Sequence, residues 1–556
     1  MTPFRMNMRL HLVLLCLLAY APPSVTAQTP TPFRAAASGA ARAVDPRVLR
    51  AHLEFLADDA LEGRRPGTRG GELAAKYIAA QFERLGLEPA GDSGTYYHHV
   101  PIITLTPTPT VRITAPTPGD LAYSTDYVLW SMRNDTVTSI RGDLVFVGYG
   151  IVAPEYQWDD YKGVDVKNKI VVVLVNDPGL RDSTIFRGPI LTYYGRWTYK
   201  IEEAQRQGAA GILLIHTPES ATYPWTTVQS SWTGPQVRIE EPPKSLLVAG
   251  WLSREAAGRL FQQGKKDLTA LVDQAARRGF SAVSLGVQLE ATVKSSIQRS
   301  STSNVLGRLP GRGSLAREAV LIGGHYDHFG IGKPVAGDSI YNGAEDNASG
   351  TAAVLTTAEA FVRSGVHTGR SLVFAGFTAE ESGLLGSQAL VGRSPIPLRQ
   401  IAAILNLDVM NLYGRTRDVS AVGLDQSSLS STFSRAAAAE GLRVTVSREA
   451  LLHGAFFRSD HFPFARVGVP GLSIQNGQRY LGQPADYGQN KQNEYTEKRY
   501  HQPSDEVLPS FNYYGAVQQL RVIVRAAVAI ADAPNQPGWN ETSEFRQAGE
   551  DRLKRR

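Results

Sequence analysis

Residues 319–328 read AVLIGGHYDH, and residues 341–350 read YNGAEDNASG. The first stretch opens with an unbroken apolar run from Ala319 to Gly324, which predicts a strand buried on both faces of a sheet. The second stretch leads into apolar residues with helical spacing from Ala348 to Val362. Because a buried strand followed by a helix is typical of parallel sheets, this region predicts an α/β fold.

The same alternation continues along the chain. It predicts a strand from Ser371 to Phe377, a helix from Leu384 to Leu390 and a strand from Ile401 to Leu407. We therefore expect a mostly parallel sheet with helices on both faces. In sheets of this kind, ligands bind at the carboxyl ends of the strands.

Side chains that can bind metal ions lie in five short motifs, three of which directly follow predicted strands. They lie in GGHYDH (His325), YNGAEDNASG (Asp346), FTAEESG (Glu380 and Glu381), LNLDVM (Asp408) and RYHQPSD (His501). Two imidazoles and three carboxylates suit a pair of zinc ions, and one glutamate then remains to move protons. Any one of these motifs alone also fits a buried histidine, a solvated helix start or a helix cap. Their convergence at one sheet edge favours a two-metal hydrolase.

On these motifs, on LEGRRPGT at 61–68 and on SNVLGRLPG at 303–311, the chain resembles the secreted two-zinc (co-catalytic) metallo-aminopeptidase family. That family is related to glutamate carboxypeptidase and to the transferrin receptor, and the resemblance covers about residues 45–534. It implies the zinc exopeptidase fold and two Zn²⁺ per chain. By the resemblance, one ion binds His325, Asp346 and Asp408, and the other binds Asp346, Glu381 and His501, so that Asp346 bridges them.

The resemblance also implies roles for other residues. Glu380 would act as general base toward a hydroxide-forming water that bridges the metals, and then as general acid toward the leaving amine. Asp327 would hydrogen-bond the His325 imidazole and fix its tautomer; the alternative is a surface carboxylate. The Tyr500 hydroxyl would stabilise the oxyanion, with plain packing as the alternative. Arg458 would contact the substrate backbone.

The remaining segments predict the domain organisation. Short strands separated by Pro and Gly fill residues 104–300, a segment that resembles the β-rich protease-associated (PA) domain inserted in many family members. The glycine- and arginine-rich loop at 61–71 fits either a cover for the active site or a plain helix connection. The predicted division is 1–27 signal peptide, 28–44 linker, 45–103 N-terminal helical part of the catalytic domain, 104–300 insert, 301–535 zinc peptidase domain and 536–556 tail.

The N-terminus predicts export. Arg5 and Arg9 precede an apolar run at 10–21, and Val25-Thr26-Ala27 is a cleavage site of small residues, so we expect a signal peptide and a secreted or periplasmic enzyme. The apolar run is too short to span a bilayer, and we expect no membrane span after cleavage; an uncleaved anchor is the alternative. The only cysteine, Cys16, lies within this run, so disulfides are not expected.

Composition and motifs together limit the function classes. The formal net charge is +6 and no basic stripe interleaved with aromatics occurs, so nucleic-acid binding is not expected. We expect peptide substrates and aminopeptidase activity. The alternatives are a glutamate-carboxypeptidase-like exopeptidase, a receptor-like protein that has lost catalysis, and a glutaminyl-cyclase-like acyltransferase. The side-chain preference, the oligomeric state and the role of the insert stay open at this stage.

Overall fold

The computed structural model describes residues 35–116, 119–240 and 246–554. The predicted signal peptide, residues 1–27, lies outside them. Within the described residues, no helix combines the length and the apolar character that crossing a membrane requires.

Helices begin the described chain, and a long strand follows. Their bounds are α1 (Ala35–Arg42), α2 (Pro46–Leu56), α3 (Arg69–Arg84), β1 (Glu88–Pro89) and β2 (Tyr97–Thr114). Asp45 caps α2, since its carboxylate accepts a hydrogen bond from the backbone N–H of Arg47 and Pro46 occupies the first turn. The sequence therefore sets the start of α2 locally.

The insert contains both strands and helices. Its elements are β3 (Tyr127–Ser131), β4 (Val137–Phe146), β5 (Val152–Ala153), β6 (Trp158–Asp159), β7 (Ile170–Leu174), α4 (Trp197–Arg206), β8 (Gly211–Ile215), α5 (Pro218–Ala221), α6 (Trp225–Trp232), β9 (Gln236–Ile239), β10 (Val248–Leu252), α7 (Arg254–Gln263) and α8 (Leu268–Ala275). Strands β4, β7, β8 and β10 are parallel neighbours in that order, with β3 antiparallel at the edge. The insert is thus more helical than the β-rich domain expected from its sequence.

The C-terminal part carries the predicted alternation of strands and helices. Its elements are β11 (Val283–Leu309), β12 (Ala319–His325), β13 (Gly330–Val335), β14 (Asp338–Tyr341), α9 (Ser349–Ser364), β15 (Ser371–Phe377), α10 (Leu385–Gly392), β16 (Ile401–Leu407), β17 (Asp418–Val422), α11 (Leu429–Ala439), β18 (Arg443–Thr445), α12 (Arg448–Leu452), α13 (His461–Arg466), β19 (Gly471–Gln475), α14 (Tyr487–Lys498), α15 (Tyr514–Asp532) and α16 (Arg546–Lys554).

The sheet of this part runs in the order β18, β17, β19, β16, β12, β15, β11. Neighbours from β19 to β15 are parallel, while β11 and β17 join antiparallel. Every residue of β12, β15 and β16 is buried, as expected for strands covered on both faces. The predicted α/β fold with a mostly parallel, helix-flanked sheet is confirmed.

The predicted boundaries of the insert fall inside continuous strands. Position 103/104 lies within β2, and position 300/301 lies within β11. These two long strands pair with each other antiparallel from Tyr97 to Thr114. The two parts of the chain therefore share one continuous sheet.

Two terminal segments are ordered where the sequence predicted none. Helix α1 lies within the predicted linker 28–44, and its Ala37, Ala40 and Ala41 are buried in the core formed with α9 and α15. The small alanine side chains allow this close helix packing. The segment was predicted to be a linker because its composition is rich in Pro and Ala. The predicted tail 536–556 includes α16, where the Arg552 guanidinium is buried and donates to the carbonyls of Gly468, Leu398 and Ile401.

His52, on α2, gives the core a predicted dependence on pH. Its side chain is buried against Tyr77, with 2.9 Å between Nδ1 and the hydroxyl oxygen, and burial lowers its pKa to about 4. The His52 imidazole binds a proton more tightly in the unfolded chain than in the folded one. The free energy of unfolding therefore decreases as the pH falls from about 6.5 to 4. The change corresponds to roughly 3 kcal/mol.

We expect the free energy of unfolding, measured by denaturant titration, to fall less steeply between pH 6.5 and 4 in His52→Gln than in the wild type. Glutamine retains a polar partner for Tyr77 but does not titrate. If the free energy of unfolding changed equally with pH in both proteins, His52 would not be the source of the pH dependence.

Candidate active site with a two-metal centre

The predicted ligands gather at one edge of the sheet. His325 ends β12, Glu380 and Glu381 follow β15, and Asp408 directly follows β16. Since these three strands are parallel neighbours, their carboxyl ends bring the side chains together. Asp346 arrives from the irregular turn before α9, and His501 comes from the loop after α14.

Asp346 lies between the two imidazoles. Its Oδ1 is 3.3 Å from Nε2 of His325, and its Oδ2 is 3.3 Å from Nε2 of His501. Nε2 of His325 is also 3.4 Å from Oδ1 of Asp408, and Nε2 of His501 is 3.3 Å from Oε2 of Glu381. The five side chains thus form two sets that share Asp346.

These separations fit zinc. Two ligand atoms each about 2.0–2.1 Å from a tetrahedral zinc ion stand roughly 3.3 Å apart. The buried Nε2 of His501 has no hydrogen-bond partner among the described residues, so it is free to coordinate an ion. Two imidazoles and three carboxylates are a donor set that zinc accepts.

Proximity alone also gives other groupings. Ligand atoms of His325, Glu380 and Asp408 lie within 4.8 Å of one another, and so do those of His328, Asp346 and Glu381. Within the first group, Oε2 of Glu380 is 3.9 Å from Nε2 of His325, farther than the carboxylate oxygens of Asp346 and Asp408. Glu380 therefore stands back from the predicted ligands.

The surroundings of Glu380 raise the affinity of its carboxylate for a proton. Burial raises the pKa of this carboxyl well above its ordinary value, and the neighbouring carboxylates of Glu381, Asp408 and Asp460 raise it further. A raised pKa makes the carboxylate a stronger base, which favours uptake of a proton from water. This electrostatic environment suits a general acid and base.

Asp327 contacts His325 differently from the prediction. Its backbone carbonyl, rather than its carboxylate, lies 3.2 Å from Nδ1 of His325, and the carboxylate Oδ1 is 3.7 Å away. The carboxylate instead accepts hydrogen bonds from the backbone N–H groups of Glu380 and Glu381, at 3.0 and 3.4 Å. Two backbone donors hold it there, so Asp327 orients the imidazole through its carbonyl and the glutamate pair through its side chain.

His328 is closer to the centre than its sequence position indicates. Its imidazole is buried, and Nδ1 is 2.7 Å from Oε1 of Glu381, the oxygen that does not face His501. This contact orients the Glu381 carboxylate. The GGHYDH motif could have indicated it, because His328 is the second histidine of that motif.

Arg64 connects the loops that carry the ligands. Its guanidinium is fully buried and donates to the carbonyls of Tyr326, Asn342 and Gly343 at 2.7, 2.6 and 3.0 Å, and also to that of Leu56. Tyr326 follows His325, and residues 342–343 precede Asp346. The loop 61–71 therefore supports the site. The sequence alone does not indicate which of the adjacent residues Arg64 and Arg65 has the buried side chain.

Other buried polar groups orient the ligands. The Asp505 carboxylate accepts hydrogen bonds from the backbone N–H groups of Glu345 and Asp346, both at 3.1 Å, and burial raises its pKa to about 8. The Ser459 hydroxyl donates to Oδ2 of Asp408 at 2.6 Å. Carboxylate ligands with such partners keep a fixed orientation.

The backbone is strained at the same edge. Ala379, Val409 and His501 adopt φ values of 54°, 58° and 59°, in the left-handed region that residues with a Cβ rarely occupy. Ala379 precedes Glu380, and Val409 follows Asp408. Strain of this kind concentrates at functional sites.

Tyr500 and Arg458 line a cavity of about 750 Å³, which is also lined by four of the five predicted metal ligands: His325, Asp346, Glu381 and Asp408. The Tyr500 ring stacks on the His501 ring, with centroids 3.7 Å apart, and the residue is 44% exposed. Arg458 donates from Nε to the carbonyl of His453 and from Nη2 to the hydroxyl of Thr222 in the insert. Both residues can reach a molecule bound in this cavity, and their roles stay predictions.

Comparison with known proteins identifies similar sequences and folds. The chain is 34% identical over 146 residues to leupeptin-inactivating enzyme 1 of Streptomyces exfoliatus, covering 26% of this chain and 32% of that protein. It is 30% identical over 126 residues to leucine aminopeptidase 1 of Grosmannia clavigera, covering 22% and 29%. The matched segment thus spans about a third of the length of these curated relatives.

Solved structures align over more of the chain. An aminopeptidase from Aneurinibacillus sp. strain AM-1 has 18% identity and a TM-score of 0.46, covering 90% of this chain and 97% of that chain. A peptidase M28 precursor from Shewanella amazonensis has 17% identity and a TM-score of 0.42, with the same coverage. Residues 304–520 match the family model for Peptidase family M28, and that segment includes every predicted metal ligand. This segment, which we term the M28 domain, is therefore similar to peptidase family M28.

Proposed function

We propose that this protein is an exported, zinc-dependent aminopeptidase that removes N-terminal residues from peptides. One zinc ion would bind His325, Asp346 and Asp408, and a second would bind Asp346, Glu381 and His501. The observation that carries the proposal is the position of Asp346, whose two carboxylate oxygens each face a different imidazole at 3.3 Å. A carboxylate placed in this way can screen two cations from each other.

The bound zinc ions would polarise the scissile carbonyl and acidify the attacking water. Glu380 takes the proton of that water and delivers it to the leaving amine, which its raised pKa permits. The Tyr500 hydroxyl donates a hydrogen bond to the oxygen that becomes negative in the transition state. His328, Asp327 and Ser459 hold the ligand side chains in place.

A free N-terminal amine is favoured over a blocked one at this site. The carboxylates of Glu380 and Asp408 line the cavity beside the metal ligands and can accept hydrogen bonds from a protonated amine. Two of the relatives named above are called aminopeptidases, which accords with this proposal. In the glutamate-carboxypeptidase-like alternative, blocked peptides would be cleaved as well.

The insert takes part in this function as a wall of the cavity. Its residues Trp130, Arg196, Trp197 and Trp232 line the cavity together with the ligand side chains. We infer that residues 104–300 form a protease-associated domain that restricts access of substrates. The N-terminal sequence supports export by a signal peptide.

Removal of zinc is expected to abolish activity. The wild type should bind two zinc ions per chain in metal analysis, lose hydrolysis of leucine p-nitroanilide after chelation and recover it on addition of zinc. Asp346→Asn, which weakens both ion sites, should bind less than one zinc ion and stay inactive. Asp338→Asn, outside the metal centre, serves as the control. Activity that survives complete metal removal would contradict the proposal.

The type of peptidase is tested with a panel of aminoacyl p-nitroanilides, free peptides and N-acetylated peptides. Release of N-terminal residues from free peptides, with N-acetylated peptides intact, is the expected result. Release of C-terminal residues from the acetylated peptides would support the carboxypeptidase alternative instead.

A further inference from the structure

Three arginines that line the cavity have no carboxylate partner among the described residues: Arg196, Arg238 and Arg458. The Arg238 guanidinium donates to the carbonyls of Ser131 and Arg133. Arg196 of the insert lies just before α4, and Arg458 lies in the M28 domain. The buried Nε of Arg196 has no hydrogen-bond partner, and among the described residues no carboxylate pairs with its guanidinium. Arg458 donates only to a carbonyl and a hydroxyl. These positive charges therefore lack a carboxylate counter-ion within the described chain.

The surroundings of Arg196 make its lack of a partner costly. Burial, and to a smaller extent the positive charge of Arg458, lower the pKa of Arg196 to about 9. Tyr223 lies near both, since each of their charges acts on its hydroxyl. In contrast, Arg466 in the same cavity pairs with Glu202 at 2.9 Å. Arg458 is exposed, whereas Arg196 is partly buried and its Nε is fully buried, so an anionic ligand at Arg196 would offset the cost of its unpaired charge.

The cavity is thus lined by groups of opposite charge. The carboxylates of the metal centre and the guanidinium groups of Arg196 and Arg458 line the same cavity. A peptide with both ends free carries a positive amine and a negative carboxylate, so it can match both kinds of group at once. Guanidinium groups bind carboxylates through paired hydrogen bonds.

We propose that Arg196, together with Arg458, binds a carboxylate of the peptide substrate and makes this protein selective for short peptides that carry one. The carboxylate can be the C-terminal group of the peptide or the side chain of an aspartate or glutamate residue. The proposal rests on the proposed peptidase function and adds a role for the insert, which provides Arg196.

The test compares the wild type with Arg196→Gln and, as control, Arg206→Gln. Arg206 lies on α4, pairs with Glu203 at 2.6 Å and does not line the cavity. For each zinc-loaded protein, kcat/KM is measured on Leu-Ala, Leu-Ala amide and Leu-Asp amide. Calorimetry with Leu-Ala measures binding without relying on turnover.

If the protein binds the C-terminal carboxylate, the wild type should have a higher kcat/KM for Leu-Ala than for Leu-Ala amide. If it binds a side-chain carboxylate, kcat/KM should be higher for Leu-Asp amide than for Leu-Ala amide. Arg196→Gln should reduce the preference by roughly 10- to 100-fold, the value of hydrogen bonds to a charged group. Arg206→Gln should keep it.

Equal kcat/KM for all three substrates in the wild type, or a preference unchanged in Arg196→Gln, would overturn the proposal. If the wild type cleaves neither these peptides nor leucine p-nitroanilide, the peptidase function fails. Calorimetry then decides separately: tighter binding of a carboxylate-bearing peptide by the wild type than by Arg196→Gln supports the arginine site, and equal binding refutes it.

Discussion

Glu380→Gln is expected to lower kcat on leucine p-nitroanilide by roughly 100- to 10,000-fold, the usual contribution of a general acid and base. Glutamine has the shape of glutamate but cannot take a proton from water. The zinc content should remain that of the wild type, because Oε2 of Glu380 lies 3.9 Å from His325, beyond the oxygens of the predicted ligands. Steady-state kinetics and metal analysis of the same preparation check both parts.

Glu381→Gln is the matched comparison. The two glutamates are adjacent, and the backbone N–H group of each donates a hydrogen bond to the Asp327 carboxylate. Oε2 of Glu381 lies 3.3 Å from Nε2 of His501, so its substitution should lower zinc content as well as activity. If Glu380→Gln lost zinc and Glu381→Gln retained it, the assignment of base and ligand would be reversed.

The sequence predicted the parts of this molecule that depend on local pattern. The strands at 371–377 and 401–407 have the bounds that their apolar runs indicated. Because those strands are parallel, the pattern also predicted that Glu380, Glu381 and Asp408 would lie near one another. Local periodicity and one topological rule were sufficient for this part of the candidate site.

Features that depend on distant partners could not be predicted in the same way. Helix α1 is held by packing against α9 and α15, hundreds of residues away in the chain, and its alanine-rich sequence resembles a linker. Arg552 is buried only because three carbonyls from residues 398–468 receive its guanidinium. Arg196 is likewise visible as a cavity residue only once the insert has packed against the M28 domain.

Arg64→Met is expected to have the largest effect on stability outside the metal ligands. Methionine fills much of the same volume but leaves the carbonyls of Leu56, Tyr326, Asn342 and Gly343 without their donor. Buried acceptors without partners cost roughly 1–3 kcal/mol each, so a loss of about 3 kcal/mol or more in the free energy of unfolding is expected. Thermal unfolding with and without zinc measures it.

The substitution should also weaken zinc binding. Burial lowers the pKa of Arg64 to about 10, so the side chain remains charged at neutral pH, and Asp327, Asp505 and Asp346 lie near it. Its charge offsets part of the repulsion among these carboxylates, and its hydrogen bonds join the loop after His325 to the loop before Asp346. Without it, the two ligands that share an ion should lose their fixed separation.

Arg65→Met is the control, because Arg65 is the adjacent arginine in the same loop and its side chain is not fully buried. This change should alter the free energy of unfolding by only about 0.5 kcal/mol or less, as is usual for surface positions. Arg64→Lys should lower the free energy of unfolding about as much as Arg64→Met does. An ammonium group lacks the planar fork of donors with which the guanidinium reaches four carbonyls. If Arg64→Lys instead kept full stability and zinc affinity, the positive charge alone would account for the role of Arg64. The proposed role of its hydrogen bonds between the loops would then be wrong.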